Sequence, residues 1–372
     1  MKGPILLAAG GTGGHLFPAE SLALALKAHG WGVHLATDHR VESYGHDFPA
    51  ERIHFIESAT ITREPVAAAR AVLTLAAGFV RARILMSQVR PAAAIGFGGY
   101  PTVPPMLAAA WAKVPTIIHE QNAVLGRGNR FLAPRVGRIA TSFASVGGTQ
   151  AFATKVVQTG NPVRPAVLAA AATPYPERTA VDPFRLLVFG GSQGARVFSD
   201  LMPAAVALLP EDARRRLTIV QQCRPEDIGR VRQSYDLLGI AAELAPFFAD
   251  MPQRIAASHL VVCRSGASTC AELAVIGRPA ILVPLPHALD QDQKANAGVL
   301  AGAGGGWVID QSDLTPARLA GELTRFLAAP ESLAKAAIAA RGMGRPDAAE
   351  RVADLVERMV SGQKAATPQL PP

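Results

Sequence analysis

Short, nearly unbroken apolar runs alternate along this chain with longer stretches of helical periodicity, the pattern of parallel strands buried on both faces and joined by helices. The first fifty residues read as a strand over 5–9, a glycine turn Gly10-Gly11-Thr12-Gly13-Gly14-His15, a helix from about Pro18 to His29 and a strand over 33–36. The pattern returns 180 positions later, where a strand over 186–189 runs into Gly190-Gly191-Ser192-Gln193-Gly194-Ala195 and a helix through about Leu208. Internal similarity of this kind predicts two halves of the same doubly wound α/β architecture, each with a glycine turn at the carboxyl end of its first strand and ligand beside those turns. A third turn, Gly96-Phe97-Gly98-Gly99-Tyr100-Pro101, follows a strand over 92–95, and a strand over 116–119 comes next.

Proline and alanine crowd residues 161–183, which reads as the interdomain linker. Pro346 opens a last helix whose Val352, Leu355, Val356 and Met359 share one face. The expected division is an N-terminal domain over 1–162, a second over 163–345, a crossover helix over 346–362 returning toward the first domain, and a disordered tail over 363–372.

Composition adds limits. At 372 residues, 49% apolar and 18% charged, the chain exceeds what one core supports and is too apolar for disorder. Three cysteines (Cys223, Cys263, Cys270) cannot build a disulfide framework and include no CxxC pair, which points to a reducing compartment. The apolar start at 5–9 is too short for a signal peptide. Residues 71–80 are closed off by Arg70 and Arg81, so no run reaches the ~20 residues of a membrane span.

Net charge is +8 and uneven: residues 1–162 carry 15 basic against 8 acidic side chains, residues 163–372 carry 22 against 21. The N-terminal half therefore expects an anionic partner, nucleic acid or an anionic lipid surface. Aromatics, at 6%, are not interleaved with the basic residues as a stacking platform requires, so no nucleic acid is expected. A helix over 66–89 carries Val72, Leu75, Phe79, Val80 and Leu85 and is bordered by Arg63, Arg70, Arg81, Arg83 and Arg90. That suits an anionic bilayer surface; a core-facing helix with a solvated basic side reads the same way.

Candidate chemistry gathers at the strand ends. A GxGxxG fingerprint starting at Gly11 would need glycine at Leu16, and no lysine-bearing P-loop is present. What remains is a glycine turn baring amides at a helix start, suited to a diphosphate, or simply a tight turn. His15 beside it is a proton acceptor at neutral pH or a structural histidine. His119-Glu120-Gln121-Asn122 puts four polar side chains after an apolar strand, costly to bury unless they meet a ligand or each other. In the second half, a strand over 260–263 ends in Arg264-Ser265-Gly266-Ala267-Ser268-Thr269, with Glu272 beyond. Thr269 and Glu272 fit a capping box; equally, a helix N-terminus with Arg264 would meet phosphate while Glu272 takes ribose hydroxyls. The polar run 290–296 would read sugar hydroxyls, and its Asp290-Gln291-Asp292 is too loose a pattern to predict a metal site.

Taken in order, GGTGGH (10–15), GFGGYP (96–101), HEQN (119–122), GNPVR (160–164), GGSQGA (190–195) and CRSGA with Thr269 and Glu272 resemble the MurG family of membrane-associated N-acetylglucosaminyltransferases, over about residues 3–360. The resemblance implies the GT-B fold, two Rossmann-like domains facing across a cleft. It implies inverting transfer of N-acetylglucosamine from UDP-N-acetylglucosamine to the C4 hydroxyl of the undecaprenyl-linked muramyl-pentapeptide lipid I, giving lipid II of peptidoglycan. Carried over by motif, Thr12, Gly13, Gly14, Asn122, Arg164 and Ser192 would contact the donor, and the backbone of Phe248 would read uracil. Ala267, Ser268, Thr269 and Glu272 would hold diphosphate and ribose, with Asp292 and Gln293 on the sugar; the sequence departs from the family pattern here by one extra residue and by the Asp. The family also implies a peripheral place on the cytoplasmic face of the bacterial inner membrane and cell-wall synthesis and division proteins as neighbours.

Departure of UDP builds negative charge on the diphosphate, to be met by helix N-termini, Ser192 and Arg164 or Arg264. The acceptor hydroxyl needs a base, His15 first and Glu120 second. No cofactor is expected, Mg²⁺ being at most non-essential. The rival readings are another GT-B UDP-sugar enzyme, such as a UDP-N-acetylglucosamine 2-epimerase, and a non-catalytic nucleotide-sugar-binding protein.

Overall fold

The strands over Ile5–Ala8, Ala93–Gly96, Leu260–Cys263 and Ala280–Leu282 are apolar at consecutive positions because their sheets are covered on both faces. The computed structural model describes residues 3–10, 13–39, 48–60, 64–191 and 194–363. It divides into two units, residues 1–164 with 345–372, and residues 165–344.

Among the described residues the first unit has seven strands: β1 (Ile5–Ala8), β2 (Val33–Thr37), β3 (Arg52–Phe55), β4 (Ala93–Gly96), β5 (Thr116–Glu120), β6 (Arg138–Thr141) and β7 (Val156–Gln158). They form one sheet in the order β3-β2-β1-β4-β5-β6-β7, parallel throughout. Its helices are α1 (Gly13–Ala28), α2 (Pro65–Val89), α3 (Val103–Trp111) and α4 (Arg127–Leu132). Alternation along the strands sends Ile5, Leu7, Val33, Leu35 and Ile95 to one face with Leu16, Leu22 and Leu26 of α1. Leu6, Ala8, Ala94, Ile118 and Ile139 go to the other face with Leu85 and Met86 of α2 and Met106 of α3.

In the second unit, α5 (Pro165–Ala171) precedes β8 (Phe184–Phe189), α6 (Arg196–Ala207), α7 (Glu211–Arg215), β9 (Leu217–Gln222), α8 (Ile228–Leu237) and β10 (Ala242–Ala245). Then come α9 (Met251–Ala257), β11 (Leu260–Cys263), α10 (Ala267–Ile276), β12 (Ala280–Leu282), α11 (Asp292–Gly302), β13 (Gly306–Val308), α12 (Pro316–Ala328) and α13 (Pro330–Met343). Among the described residues six parallel strands pair in the order β10-β9-β8-β11-β12-β13, so both sheets place the fourth strand beside the first. The three cysteines are free and buried in this unit.

The last described helix is α14 (Ala348–Val360), which belongs to the first unit. Val352, Leu355 and Val356 enter the core beside α1. Its polar edge is tied by the Trp31 indole N–H to Glu357 Oε1 at 2.8 Å and by His29 Nε2 to Glu350 Oε2 at 2.9 Å. Residues 364–372, most of the expected tail, lie outside the described residues.

Three expectations need correction. The first helix starts at Gly13 and contains Pro18: the glycine amides begin it, and the proline taken as its opener sits in its second turn. The boundary between the units, at 164/165, falls inside the expected linker over 161–183, but that stretch is not a loose connector, since α5 is built from it. Arg278, fully buried, donates to the carbonyls of Thr173 and Pro174 at 3.2 and 2.8 Å and to those of Ala256, Ile276 and Gly277, stapling that segment to the body.

The long helix α2 is apolar enough, by length and composition, to cross a bilayer, with a mean hydropathy of 1.3 over its best window; a reading that stopped at Arg70 and Arg81 missed this. Yet Ala71, Gly78, Ala82, Leu85 and Met86 are buried, Ala82, Leu85 and Met86 in the core cluster that α3 shares, and a Cβ on Gly78 would fall 2.2 Å from the Glu57 carbonyl. The helix therefore lies on the first unit, and Leu85 is core rather than surface.

Arg278→Met would leave five buried carbonyls without their donor, at about 1–3 kcal/mol for each group left unsatisfied. Chemical denaturation should show the second unit's transition destabilised by at least 3 kcal/mol, on the order of losing one buried charged partner, with the first unit's transition unmoved.

Candidate active site

Parallel strands deliver their polar groups to one edge, the carboxyl end, because the strand bodies are buried. In the first unit that edge carries the start of α1, the turn after β4 and the end of β5. Gly98 and Gly99 hold φ of +86° and +77°, a region that excludes most side chains. The half-buried imidazole of His15 lies along them: a Cβ on Gly98 would stand 3.5 Å from its Nε2, and one on Gly99 would stand 3.6 Å from its Nδ1. Two bare glycines thus form the platform under the ring.

The HEQN run folds into its own network. His119 is fully buried; its Nε2 faces the Gly160 carbonyl at 2.9 Å, and Gln121 Nε2 stands 3.2 Å from its Nδ1. The ring must then donate at Nε2 and accept at Nδ1, the neutral form, and burial lowers its pKa to about 4. Glu120 is 2% exposed and takes four donors: Oε1 accepts from the Asn122 N–H and Nδ2 at 3.0 and 3.2 Å, Oε2 from the Gly126 N–H and Asn129 Nδ2 at 2.9 and 2.8 Å. Burial raises its pKa against those four bonds. The carboxylate folds the loop from Gln121 to α4 around itself, so neither oxygen is left to a substrate proton. Asn129, which sequence reasoning missed, also donates to the His119 carbonyl at 3.1 Å; a lone asparagine in a short helix gives no signal in one sequence. Arg164 stacks its guanidinium 4.4 Å above the Phe17 ring of α1, while Gly13 and Gly14 are that helix's first residues. Thr12 and Ser192 lie outside the described residues.

In the second unit the capping box does not form. The N-cap of α10 is Gly266, which offers no side chain, and Thr269 and Glu272 are both inside the helix. Ala267, Ser268 and Thr269 become its first three residues, whose amides have no intrahelical partner; the first intrahelical bond observed is Cys270 N–H to Gly266 O at 3.0 Å. The Ser268 hydroxyl is buried without a hydrogen-bond partner among the described residues. Glu272 lies one turn on, 8% exposed.

Arg264 is turned elsewhere. Nη1 donates to the Val283 and Pro284 carbonyls, both at 3.1 Å, and Nη2 to Gln311 Oε1 at 2.6 Å, so in this structure it fixes the loop after β12 instead of facing the helix start. That loop carries three non-glycine residues at positive φ, His287, Asp290 and Gln291, the kind of strain that clusters at binding sites. Asp292 opens α11 and accepts the Gln293 N–H at 2.7 Å; Gln293 Oε1 accepts the Leu285 N–H at 3.0 Å. Both are held by the protein's own backbone.

At the second glycine turn, Gly190 donates its N–H to Gln222 Oε1 at 3.1 Å, and a Cβ there would fall 2.4 Å from the Ala195 nitrogen, so only glycine closes the turn. Phe248 is buried under the Arg254 guanidinium, 4.1 Å from its ring, which fixes the backbone ahead of α9.

Two family models match the chain: the glycosyltransferase family 28 N-terminal domain over residues 5–141 and the family 28 C-terminal domain over 185–352. With two Rossmann-like sheets, they define the class, a glycosyltransferase of the GT-B fold. A curated relative from Methylobacterium nodulans, named UDP-N-acetylglucosamine–N-acetylmuramyl-(pentapeptide) pyrophosphoryl-undecaprenol N-acetylglucosamine transferase, is 59% identical over 356 residues, 95% of each chain. One of the same name from Allorhizobium ampelinum is 56% identical over 98% of each chain. The crystal structure of Acinetobacter baumannii MurG matches with a TM-score of 0.78 at 29% identity, over 96% of this chain and 100% of that one. A UDP-N-acetylglucosamine 2-epimerase from Neisseria meningitidis, at a TM-score of 0.67, 15% identity, and 96% and 100% coverage, shares the fold alone. The chain belongs to the MurG family of glycosyltransferase family 28.

The His119 pKa, depressed below its unfolded value, contributes stability that is present above about pH 6.5 and is lost as pH falls toward 4. Thermal melts should show the first unit losing up to roughly 3 kcal/mol across that window. In His119→Gln that component of the decline should vanish.

Proposed function

We propose that this protein transfers N-acetylglucosamine from UDP-N-acetylglucosamine to the C4 hydroxyl of lipid I with inversion, giving lipid II for peptidoglycan, and so serves cell-wall growth, cell shape and division. The observation that carries the reading is the uncapped start of α10: three amides and a Ser268 hydroxyl with no hydrogen-bond partner among the described residues, one turn before Glu272, in a chain of this family. A helix N-terminus attracts phosphate through those amides and its dipole. Ala267, Ser268 and Thr269 hold the diphosphate, Glu272 the ribose hydroxyls, and the Phe248 backbone the uracil. Thr12, Gly13, Gly14, Asn122, Arg164 and Ser192 contact the donor, and Asp292 and Gln293 shape the sugar end. Arg264 acts one step back, by holding the loop after β12.

The reaction forms the bond from the acceptor oxygen to the anomeric carbon as the bond to the diphosphate breaks. The proton leaves the acceptor hydroxyl for His15, and the charge left on UDP is met by the α10 amides, a contribution of ~10²–10³ per donor. Glu120, with all four bonds committed to its own loop, is assigned a positioning role, which leaves His15 as the base. No step is assigned to Mg²⁺.

The acceptor's lipid tail calls for a membrane surface. Val72, Leu73, Val80 and Ile84 of α2 are exposed, as is Trp111, whose ring packs edge-on to Phe79 and under the Arg83 guanidinium. Arg70, Arg81 and Arg90 are exposed on the same helix or its end; Arg63 lies outside the described residues. Basic residues near an anionic leaflet contribute about 1 kcal/mol each, enough for reversible peripheral binding at the cytoplasmic face.

UDP release should require both donor and a short-chain lipid I analogue, fall by ~10²–10⁴ in His15→Ala, and show a raised donor KM in Glu272→Ala. Turnover of the donor without acceptor would indicate an epimerase or hydrolase, and tight UDP binding without turnover a binding protein. Co-sedimentation with phosphatidylglycerol vesicles should drop at least tenfold in Arg81→Glu/Arg83→Glu and on raising salt; unchanged sedimentation removes α2 from the membrane account.

A further inference from the structure

Gln222 ends β9, the strand between β8 and β10, and its side chain joins the segments that leave those two neighbours. Its Oε1 accepts the Gly190 N–H at 3.1 Å, at the glycine turn after β8. Its Nε2 donates to the Pro246 carbonyl at 3.1 Å, at the first residue after β10. An N–H only donates and a backbone carbonyl only accepts, so the amide cannot be turned round. The residue is 3% exposed. The register of β9 and β10 stops where Gln222 meets Ala245, whose carbonyl takes the Cys223 N–H at 3.0 Å. The Gln222 amide carries the pairing one residue further, toward Phe248. On the far side Phe248 is buried under Arg254, which donates to Asp250 and Glu243, both at 2.7 Å. The backbone over 246–248 is thus held at both ends.

We propose that Gln222 is a positioning residue for the donor's base: it sets where the Phe248 backbone meets uracil and so fixes the preference for uracil over cytosine. This rests on the reading in which the Phe248 backbone takes the uracil edge. The two pyrimidines differ there in hydrogen-bonding sense, because uracil accepts at O4 and donates at N3 while cytosine donates at N4 and accepts at N3. Backbone groups tell them apart only while held to within about 0.5 Å, since rejection of the wrong base comes from groups left unpaired. Without the Gln222 amide the Pro246 carbonyl loses its donor, and the segment ahead of Phe248 is released from the sheet.

The test is calorimetric titration of the full chain with UDP and with CDP, for wild type and Gln222→Met. Steady-state kinetics with UDP-N-acetylglucosamine and a short-chain lipid I analogue, and melting curves, run alongside. Gln222→Met should bind UDP roughly tenfold more weakly and CDP within about twofold of wild type. Its donor KM should rise roughly tenfold, with kcat and the acceptor KM within about threefold. Gln222→Glu gives a second arm, which stands even if the methionine variant folds poorly. Its carboxylate has no proton for the Pro246 carbonyl, so at about pH 8 it should bind UDP-N-acetylglucosamine as weakly as Gln222→Met does. Burial raises the pKa of such an acid, and its protonated form can both accept from Gly190 and donate to Pro246, so affinity should return to within about threefold of wild type by about pH 5. The charged groups on this edge, Arg224 with Asp227 and Glu226 and Arg254 with its two carboxylates, are common to wild type, whose own pH profile is the reference. UDP and CDP weakened by the same factor, a kcat loss at unchanged donor KM, or a glutamate variant whose affinity does not rise as pH falls overturns the proposal. Wild type that binds CDP as tightly as UDP overturns instead the reading on which the proposal rests.

Discussion

A parallel sheet covered on both faces leaves its strands no freedom to carry polar side chains, and that constraint organises this protein. Both units follow it in their central strands, which are buried, and the hydrogen-bonding groups of the candidate site emerge where strands end and helices begin. At those edges glycines stand in the turns and at the N-cap of α10, where a side chain would otherwise cap the helix. The result is amides with no hydrogen-bond partner among the described residues at the start of α10, and an imidazole lying against Gly98 and Gly99.

The two units use the edge differently. In the second, the backbone is left unsatisfied at Ala267, Ser268 and Thr269, which favours an anionic ligand and costs nothing in side-chain ordering. In the first, a buried carboxylate is over-satisfied: Glu120 gathers two amides and two asparagine side chains and so shapes the loop beside the candidate base. A carboxylate so held is a scaffold, and its high burial does not make it a proton acceptor. Arg264 repeats the theme, a charged side chain next to the candidate phosphate site that is committed to carbonyls of a neighbouring loop.

Most of the architecture was legible from periodicity, because apolar runs and their repeat after 180 residues report directly on buried parallel strands. β11 falls where the apolar run 260–263 lies, and the last helix buries the face its spacing marks. Helix starts were less legible. Pro18 and the Thr269/Glu272 pair both carry strong local signals, and both were overridden by glycines upstream that let the helix begin earlier. The linker was placed where the units divide, but its ordered packing was not legible, because composition cannot see Arg278, the distant residue that staples it. At the candidate site, the motifs fall at the carboxyl edges of both sheets, but which polar groups face each other depends on distant packing. Glu120 and Asn129 are nine residues apart in sequence and 2.8 Å apart in space, and no spacing rule foretells that.

The claim at the centre is that α10 is left uncapped so that the donor's diphosphate can cap it. Gly266, at its N-cap, has φ −61° and ψ 153°, and a Cβ there would meet nothing within 4 Å, so Gly266→Asp fits and would cap the helix with its own carboxylate. Calorimetric titration of UDP into this variant, with its melting curve, is the direct measurement. The account predicts a second unit at least as stable as wild type and UDP affinity reduced by on the order of a hundredfold, the scale of a displaced charge-assisted anion site. UDP binding as tight as wild type to a stably capped helix would contradict it.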